Sequence, residues 1–193
     1  MVQSKTLVVL VATVVVALVL SAILANDISR DDNTATTTVS ITGLVDSDVT
    51  LTLDDLRART NTSVEAELIC VSGQSFGTHN WTGVKLKDLL NEAGVGSSAF
   101  KIAFFAADDY STDLTIDDAM RDDVIIALQK DGEPLNEKNQ LVVPGKWGYK
   151  WISGIVSIKL VDFDFKGTWE SRGYSDDAII KTLQPNHESS KVP

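Results

Sequence analysis

The chain carries one cysteine, Cys70, two histidines, His79 and His187, and four prolines in 193 residues. A lone cysteine excludes an intramolecular disulfide, a CxxC redox pair and a structural zinc site built on several thiolates. Two histidines leave little for a histidine-rich metal centre. Transition-metal chemistry would therefore rest on Cys70 and on a group that the protein does not make. Positive charge is also scarce: 17 Lys and Arg stand against 27 Asp and Glu, for a net charge of −10. Phosphate contacts need clustered Lys and Arg, so this balance argues against a nucleic-acid partner. The few prolines and a hydrophobic share of 44% argue against a disordered chain.

Charge is unevenly spread. Residues 1–25 contain one charge, Lys5, and the rest of the chain holds the other 16 basic and all 27 acidic residues. Residues 6–25 are apolar apart from Thr6, Thr13 and Ser21. At about 1.5 Å per residue this run matches a hydrocarbon core of roughly 30 Å and predicts one N-terminal transmembrane helix. A cleaved signal peptide is the other reading, with Lys5 before the apolar stretch and the small Ala25 at the cut. Both readings place the domain on the extracytoplasmic side, and Lys5 with the amino terminus favours N-inside. Residues 26–38 are polar and Thr-rich and read as a linker. The domain is expected over 39–175, with a C-terminal tail over 176–193.

Within the domain, alternating or apolar runs predict strands at 39–43, 49–53, 64–71, 101–106, 124–128, 140–143 and 155–163. Helix formers behind acidic residues predict short helices at 54–59 and 115–121. A third helix at 86–90 is closed by Gly94. Residues 74–83, rich in Gly, Ser, Thr and Asn, read as a loop, and 131–134 as a turn. Many short strands with a few short helices give an α+β fold with mixed β-sheets.

Two places stand out chemically. Cys70 closes a strand and precedes Ser72 and Gly73. Its bland reading is core packing, since free cysteine is among the most buried residue types, but a soft metal would hold it as thiolate. The 144–151 loop combines Gly145, Gly148, Lys146, Lys150, Trp147, Tyr149 and Trp151. Its glycines let backbone N–H groups approach a ligand, its lysines suit phosphate and its aromatics supply flat walls. The bland reading is a solvated turn over packed aromatics. Tyr110 follows a buried strand and either reaches a pocket or packs in the core. Trp81 reads as core, and Asn61 and Asn80 each open a glycosylation sequon, a pattern with many chance matches.

These pieces occur in a recognisable order: LTLDDL at 51–56, ELICVSG at 67–73, WTGVKLKDLL at 81–90, FFAADDY at 104–110, GEPL at 132–135 and LVVPGKWGYK at 141–150. From Val39 to Tyr174 the chain closely resembles the oxidoreductase molybdopterin-binding domain of the sulfite oxidase family, which includes the periplasmic methionine sulfoxide reductase catalytic subunit. The resemblance implies a sulfite-oxidase-type molybdopterin-binding fold. It implies molybdopterin as cofactor, two dithiolene sulfurs from the pterin, and Cys70 as the one protein ligand to molybdenum. It places Lys146, Gly148, Tyr149 and Lys150 against the pterin or its phosphate and Tyr110 in the catalytic pocket. The chemistry implied is oxygen-atom transfer to or from a small-molecule substrate. No c-type haem attachment motif is present, so electrons would pass to a partner such as a membrane cytochrome or a soluble carrier. The sequence departs from the family at three points: Gln140 stands where an arginine is common, Ser153 where a second lysine is common, and Asp109 where a glycine is common. Losing an arginine fork and a lysine removes strong charge-assisted bonds to phosphate. The same fold acting as a binding module for a pterin-like or other anionic ligand, without turnover, is the alternative. A third reading is an interaction domain in which Cys70 only packs.

Overall fold

A computed structural model describes residues 37–136 and 138–180. Ten strands and three short helices follow one another: β1 (Thr38–Gly43), β2 (Val49–Thr52), α1 (Leu53–Ala58), β3 (Thr62–Ile69), β4 (Ser75–Lys85), α2 (Leu86–Ala93), β5 (Lys101–Ala106), β6 (Ser111–Thr115), α3 (Ile116–Ala119), β7 (Ile125–Lys130), β8 (Glu133–Pro134), β9 (Gln140–Val142) and β10 (Ile155–Val161). One sheet has the order β2-β1-β10-β5-β6, and the other runs β3-β4-β7-β8 with β9 also paired to β7. Only the β1–β10 pair is parallel among the described strands; every other pairing is antiparallel. The mixed-sheet α+β architecture agrees with the sequence expectation.

Local chemistry explains the helices. The Thr52 hydroxyl accepts from the Asp55 N–H at 3.0 Å, and the Asp55 carboxylate accepts from the Thr52 N–H at 2.8 Å, a reciprocal cap that starts α1. In α2, Leu86, Leu89, Leu90 and Ala93 recur on one face and are buried, and Gly94 ends the helix. Strand β5 is apolar along nearly its whole length; β10 and β6 pair both its edges, and consecutive residues are buried, so both its faces are covered.

Three sequence expectations change. Residues 74–83 are not a loop: they form most of β4, paired with β3 on one side and β7 on the other. Its Gly and Asn have weak strand preference, but two ladders of main-chain hydrogen bonds outweigh it. Residues 111–114, unassigned by pattern, and Thr115, read as the start of a helix, form the edge strand β6, and the helix spans Ile116–Ala119. The packed chain also runs past residue 175. The Trp147 N–H donates to the Ala178 carbonyl at 2.8 Å, the Ile180 N–H donates to Gly145, and Ala178 is fully buried. The predicted membrane run at 6–25 and the linker before Thr37 lie outside the described residues. Among the described residues no helix is long and apolar enough to cross a membrane.

Candidate functional site

The β3–β4 hairpin places Cys70. Its N–H donates to the Gln74 carbonyl, and the Gly73 N–H returns to the Cys70 carbonyl, both at 2.8 Å. That leaves Val71, Ser72 and Gly73 as a three-residue loop, and Gly73 takes the positive φ of 87° that closes such hairpins. Cys70 is thus fixed at the first residue beyond a rigid strand, half-buried, with Ser72 folded back toward it. Hydrogen bonds from the Ser72 hydroxyl, and then from the Ser72 and Val71 N–H groups, hold the thiol below its usual range against a smaller opposing effect of desolvation.

Cys70 opens into a cavity of about 330 Å³ lined by Leu68, Val71, Phe76, Tyr110, Gly148, Tyr149 and Trp169. The far wall is a 3-10 turn over Gly148–Lys150. Gly148 makes a close approach there: a Cβ would stand 3.1 Å from the Ile69 carbonyl oxygen and 3.2 Å from Leu68 Cδ1. The turn therefore rests on the backbone of the cysteine hairpin. The Tyr110 hydroxyl donates to the Tyr149 carbonyl at 2.5 Å, and the Tyr149 hydroxyl to the Ser175 carbonyl at 2.6 Å. Burial, and next the negative charge of Glu170, raises both phenols above the ordinary tyrosine value, Tyr149 to about 12 and Tyr110 further. Both rings enter the site as neutral hydrogen-bonding groups.

The two lysines of this segment are paired within the protein. Lys146 is buried, with Nζ 2.8 Å from Asp118 and 2.7 Å from the Asp177 carbonyl. Lys150 is 1% exposed, with Nζ 2.9 Å from Asp113 and 2.7 Å from Glu170. Behind it lies a wider ion cluster. Lys101, also buried, meets Asp113 at 2.8 Å, Asp164 at 2.6 Å and Asp176 at 2.5 Å, and Lys166 bridges Asp164 and Asp176. Burial pulls the Lys101 ammonium toward neutrality, but its three carboxylate partners together outweigh that and keep it charged. Burial pushes the Asp113 carboxyl up against the pull of the two lysines. In short, this segment's cations tie the cavity wall to the core.

The departures from the family pattern have structural counterparts. The Gln140 amide donates to the Trp151 carbonyl at 2.5 Å. The Ser153 hydroxyl lies 3.4 Å from the Asn139 carbonyl. Asp109 adopts a φ of 65°, the left-handed region that glycine enters most easily. Of the residues singled out from sequence, Cys70, Tyr110, Gly148 and Tyr149 line one cavity, and Lys146 and Lys150 do not. Leu68, Val71, Phe76 and Trp169 were not foreseen as lining residues. Leu68 and Val71 flank the cysteine and could have been read from that. Phe76 was hidden by the loop assignment, and Trp169 lies far along the chain. Among the described residues no three His, Cys, Asp or Glu side chains are grouped to hold a metal ion. A metal here needs most of its ligands from elsewhere, which suits a cofactor that brings its own sulfurs and leaves a single thiolate to the protein.

Comparison with known proteins agrees with this geometry. Residues 26–169 match the model of the oxidoreductase molybdopterin binding domain. The chain is 28% identical over 143 residues to the uncharacterized oxidoreductase YuiH of Bacillus subtilis, covering 70% of this chain and 71% of that one. It is 29% identical to the protein-methionine-sulfoxide reductase catalytic subunit MsrP of Xanthomonas axonopodis, covering 77% of this chain and 52% of the relative. It is 28% identical to the mitochondrial sulfite oxidase of Drosophila melanogaster, covering 66% of this chain and 28% of the relative. Among solved structures, the sulfane dehydrogenase SoxCD of Paracoccus pantotrophus superposes with a TM-score of 0.61 at 25% identity, over 65% of this chain and 38% of that one. Molybdopterin is the cofactor of this family. The chain belongs to the oxidoreductase molybdopterin-binding domain family.

Proposed function

We propose that this protein is a membrane-tethered, extracytoplasmic oxidoreductase that transfers an oxygen atom at molybdenum ligated by Cys70. The observation that carries the reading is the sulfur itself: the lone thiol is held toward its thiolate form and opens into an aromatic-walled cavity. When bound, molybdopterin supplies the two-electron metal chemistry; the protein orients it and tunes its surroundings.

The chain's own residues have distinct tasks. The Ser72 hydroxyl and the turn N–H groups lower the proton affinity of the Cys70 sulfur. Gly148 and Tyr149 offer backbone and ring against the cofactor, and Tyr110 locks that wall through the Tyr149 carbonyl. Phe76, Val71, Leu68 and Trp169 give the cavity an apolar wall. Lys146 and Lys150 act on the cofactor only through the wall they anchor. Tethering rests on the apolar run at 6–25. Electrons would come from or go to a membrane cytochrome or a soluble carrier.

The internal pairing of both lysines favours one rival, a binding module of the same fold without turnover. Protein from a molybdenum-replete host, assayed with an artificial electron donor and methyl aryl sulfoxides and with an artificial acceptor and sulfite, separates the two. The oxidoreductase reading expects turnover in one direction that vanishes in Cys70→Ala. Molybdenum-loaded protein with no turnover in either direction would overturn it.

A further inference from the structure

Strand β4 opens on an irregularity beside the cavity. Ser75 pairs with Ile69 and Thr78 with Glu67, so Phe76 and Gly77 together oppose the single residue Leu68. Such a β-bulge leaves backbone groups out of the ladder and re-aims side chains. Here Gly77 takes a positive φ of 91°, and Phe76 and Leu68 both line the cavity. The Phe76 carbonyl is met by a side chain three residues on. His79 Nε2 lies 2.9 Å from it, and His79 Nδ1 lies 2.7 Å from the Asp131 carboxylate in the turn between β7 and β8. A Cβ on Gly77 would stand 3.3 Å from Nε2, so the bulge fits closely round the ring. Asp131 is itself fixed: its other oxygen accepts from the Asn80 N–H at 2.9 Å, and its own N–H donates to the Asn80 carbonyl at 2.8 Å. The Asn80 N–H, and then His79, hold the Asp131 carboxyl below its usual range.

Both ring nitrogens of His79 thus face oxygens that only accept, a backbone carbonyl and an ionised carboxylate. A neutral imidazole has one N–H and satisfies one of them; an imidazolium has two and satisfies both. On losing a proton the ring keeps its N–H on the carboxylate, the stronger acceptor, and turns a lone pair on the Phe76 carbonyl. The charged groups around the ring come from three strands. Asp131 attracts the imidazolium. Lys130, whose ammonium sits 5.4 Å from the centre of the Trp81 ring that meets His79 edge-on, repels it, and Glu133 of β8 stands opposite Lys130. On β3, Ala66 is opposite His79, while Glu65 and Glu67 are opposite Asn80 and Thr78 and project from the other face. We propose that His79 is a positioning residue for the cavity wall: its imidazolium clasps the Phe76 bulge to the Asp131 turn, and loss of its proton releases the bulge. The Phe76 side of the cavity is then held in acid and loosened in alkali. The clasp is made of the protein's own groups and stands whether or not molybdenum is bound beside it.

The sequence makes the test selective. His79 and His187 are the only histidines, so ring-labelled histidine in the full chain with His187→Gln leaves one ring to follow by NMR. Phe76–Gly77 is the only Phe-Gly step, so carbonyl-labelled Phe with amide-labelled Gly isolates the Phe76 carbonyl. Both signals are read between about pH 5 and pH 9, the span in which histidine changes charge. The expected result is two ring N–H groups at the acid end and one, on Nδ1, at the alkaline end. The Phe76 carbonyl signal should move with the same midpoint, and the order parameter of the Gly77 N–H should fall from about 0.85 toward 0.6. Asp131→Asn should lower the proton affinity of His79 about tenfold and carry the carbonyl transition with it. His79→Gln should leave the carbonyl signal with no transition, whereas a ring that merely fills space would leave the transition in place. The unaltered ring and carbonyl decide the matter even if a variant fails to fold. A ring that keeps one N–H throughout would overturn the proposal. So would a Phe76 carbonyl or a Gly77 order parameter that stays constant while the ring titrates.

Discussion

Replacing Lys150 with methionine keeps the length of the side chain and removes its charge. In the native protein Nζ lies 2.9 Å from Asp113 and 2.7 Å from Glu170, and all three side chains are at most 2% exposed. Removing one member of a buried ion pair costs about 3–5 kcal/mol, because the remaining charge stays buried without compensation. Asp113 would retain Lys101 at 2.8 Å, whereas Glu170 would retain only the Thr112 hydroxyl. The lower end, about 3 kcal/mol, is therefore expected, equivalent to a fall in Tm of roughly 6–12 °C for a domain of this size. The pH dependence has a definite sign. Burial already raises the Asp113 carboxyl, and loss of an ammonium partner raises it further. A carboxyl whose folded value lies above its unfolded one loses stability as pH rises through that interval. The gap between the variant and the native protein should thus be small near pH 4 and full by about pH 7. Chemical and thermal unfolding of the full chain at both pH values measure it. Adding Glu170→Gln should recover part of the loss. A deficit below about 1 kcal/mol, or one that ignores pH, would refute the idea that Lys150 is an internal counter-ion.

Other substitutions test the cavity wall. Gly148→Ala should push the 3-10 turn off the cysteine hairpin, costing about 1–3 kcal/mol and lowering molybdenum content, read by unfolding and elemental analysis. Tyr110→Phe deletes the hydroxyl that holds the Tyr149 carbonyl and should cost about 1 kcal/mol in denaturant unfolding.

Much of the framework was legible because local pattern and tertiary demand coincide. The apolar run of β5 and the spaced leucines of α2 have one sensible placement each. Cys70 at a strand end before Ser72 and Gly73 was readable, but the three-residue hairpin loop that holds it was not, because 74–83 read as a loop. β4 was not readable, because its glycines and asparagine signal a loop until two neighbouring strands claim their backbone groups. The lysines show the deeper limit. In sequence, Lys146 and Lys150 are two cations beside glycines, the pattern of a phosphate cradle. In space, Lys150 belongs to Asp113 and Glu170, 37 and 20 residues away, and Lys146 to Asp118. No local motif announces a counter-ion that arrives from another strand.

The central claim is a bond between the Cys70 sulfur and molybdenum. X-ray absorption at the molybdenum edge, on holoprotein of the native chain and of Cys70→Ala, counts the sulfur atoms around the metal. The account predicts one sulfur neighbour more in the native chain than in the variant; an identical sulfur shell in both would contradict it.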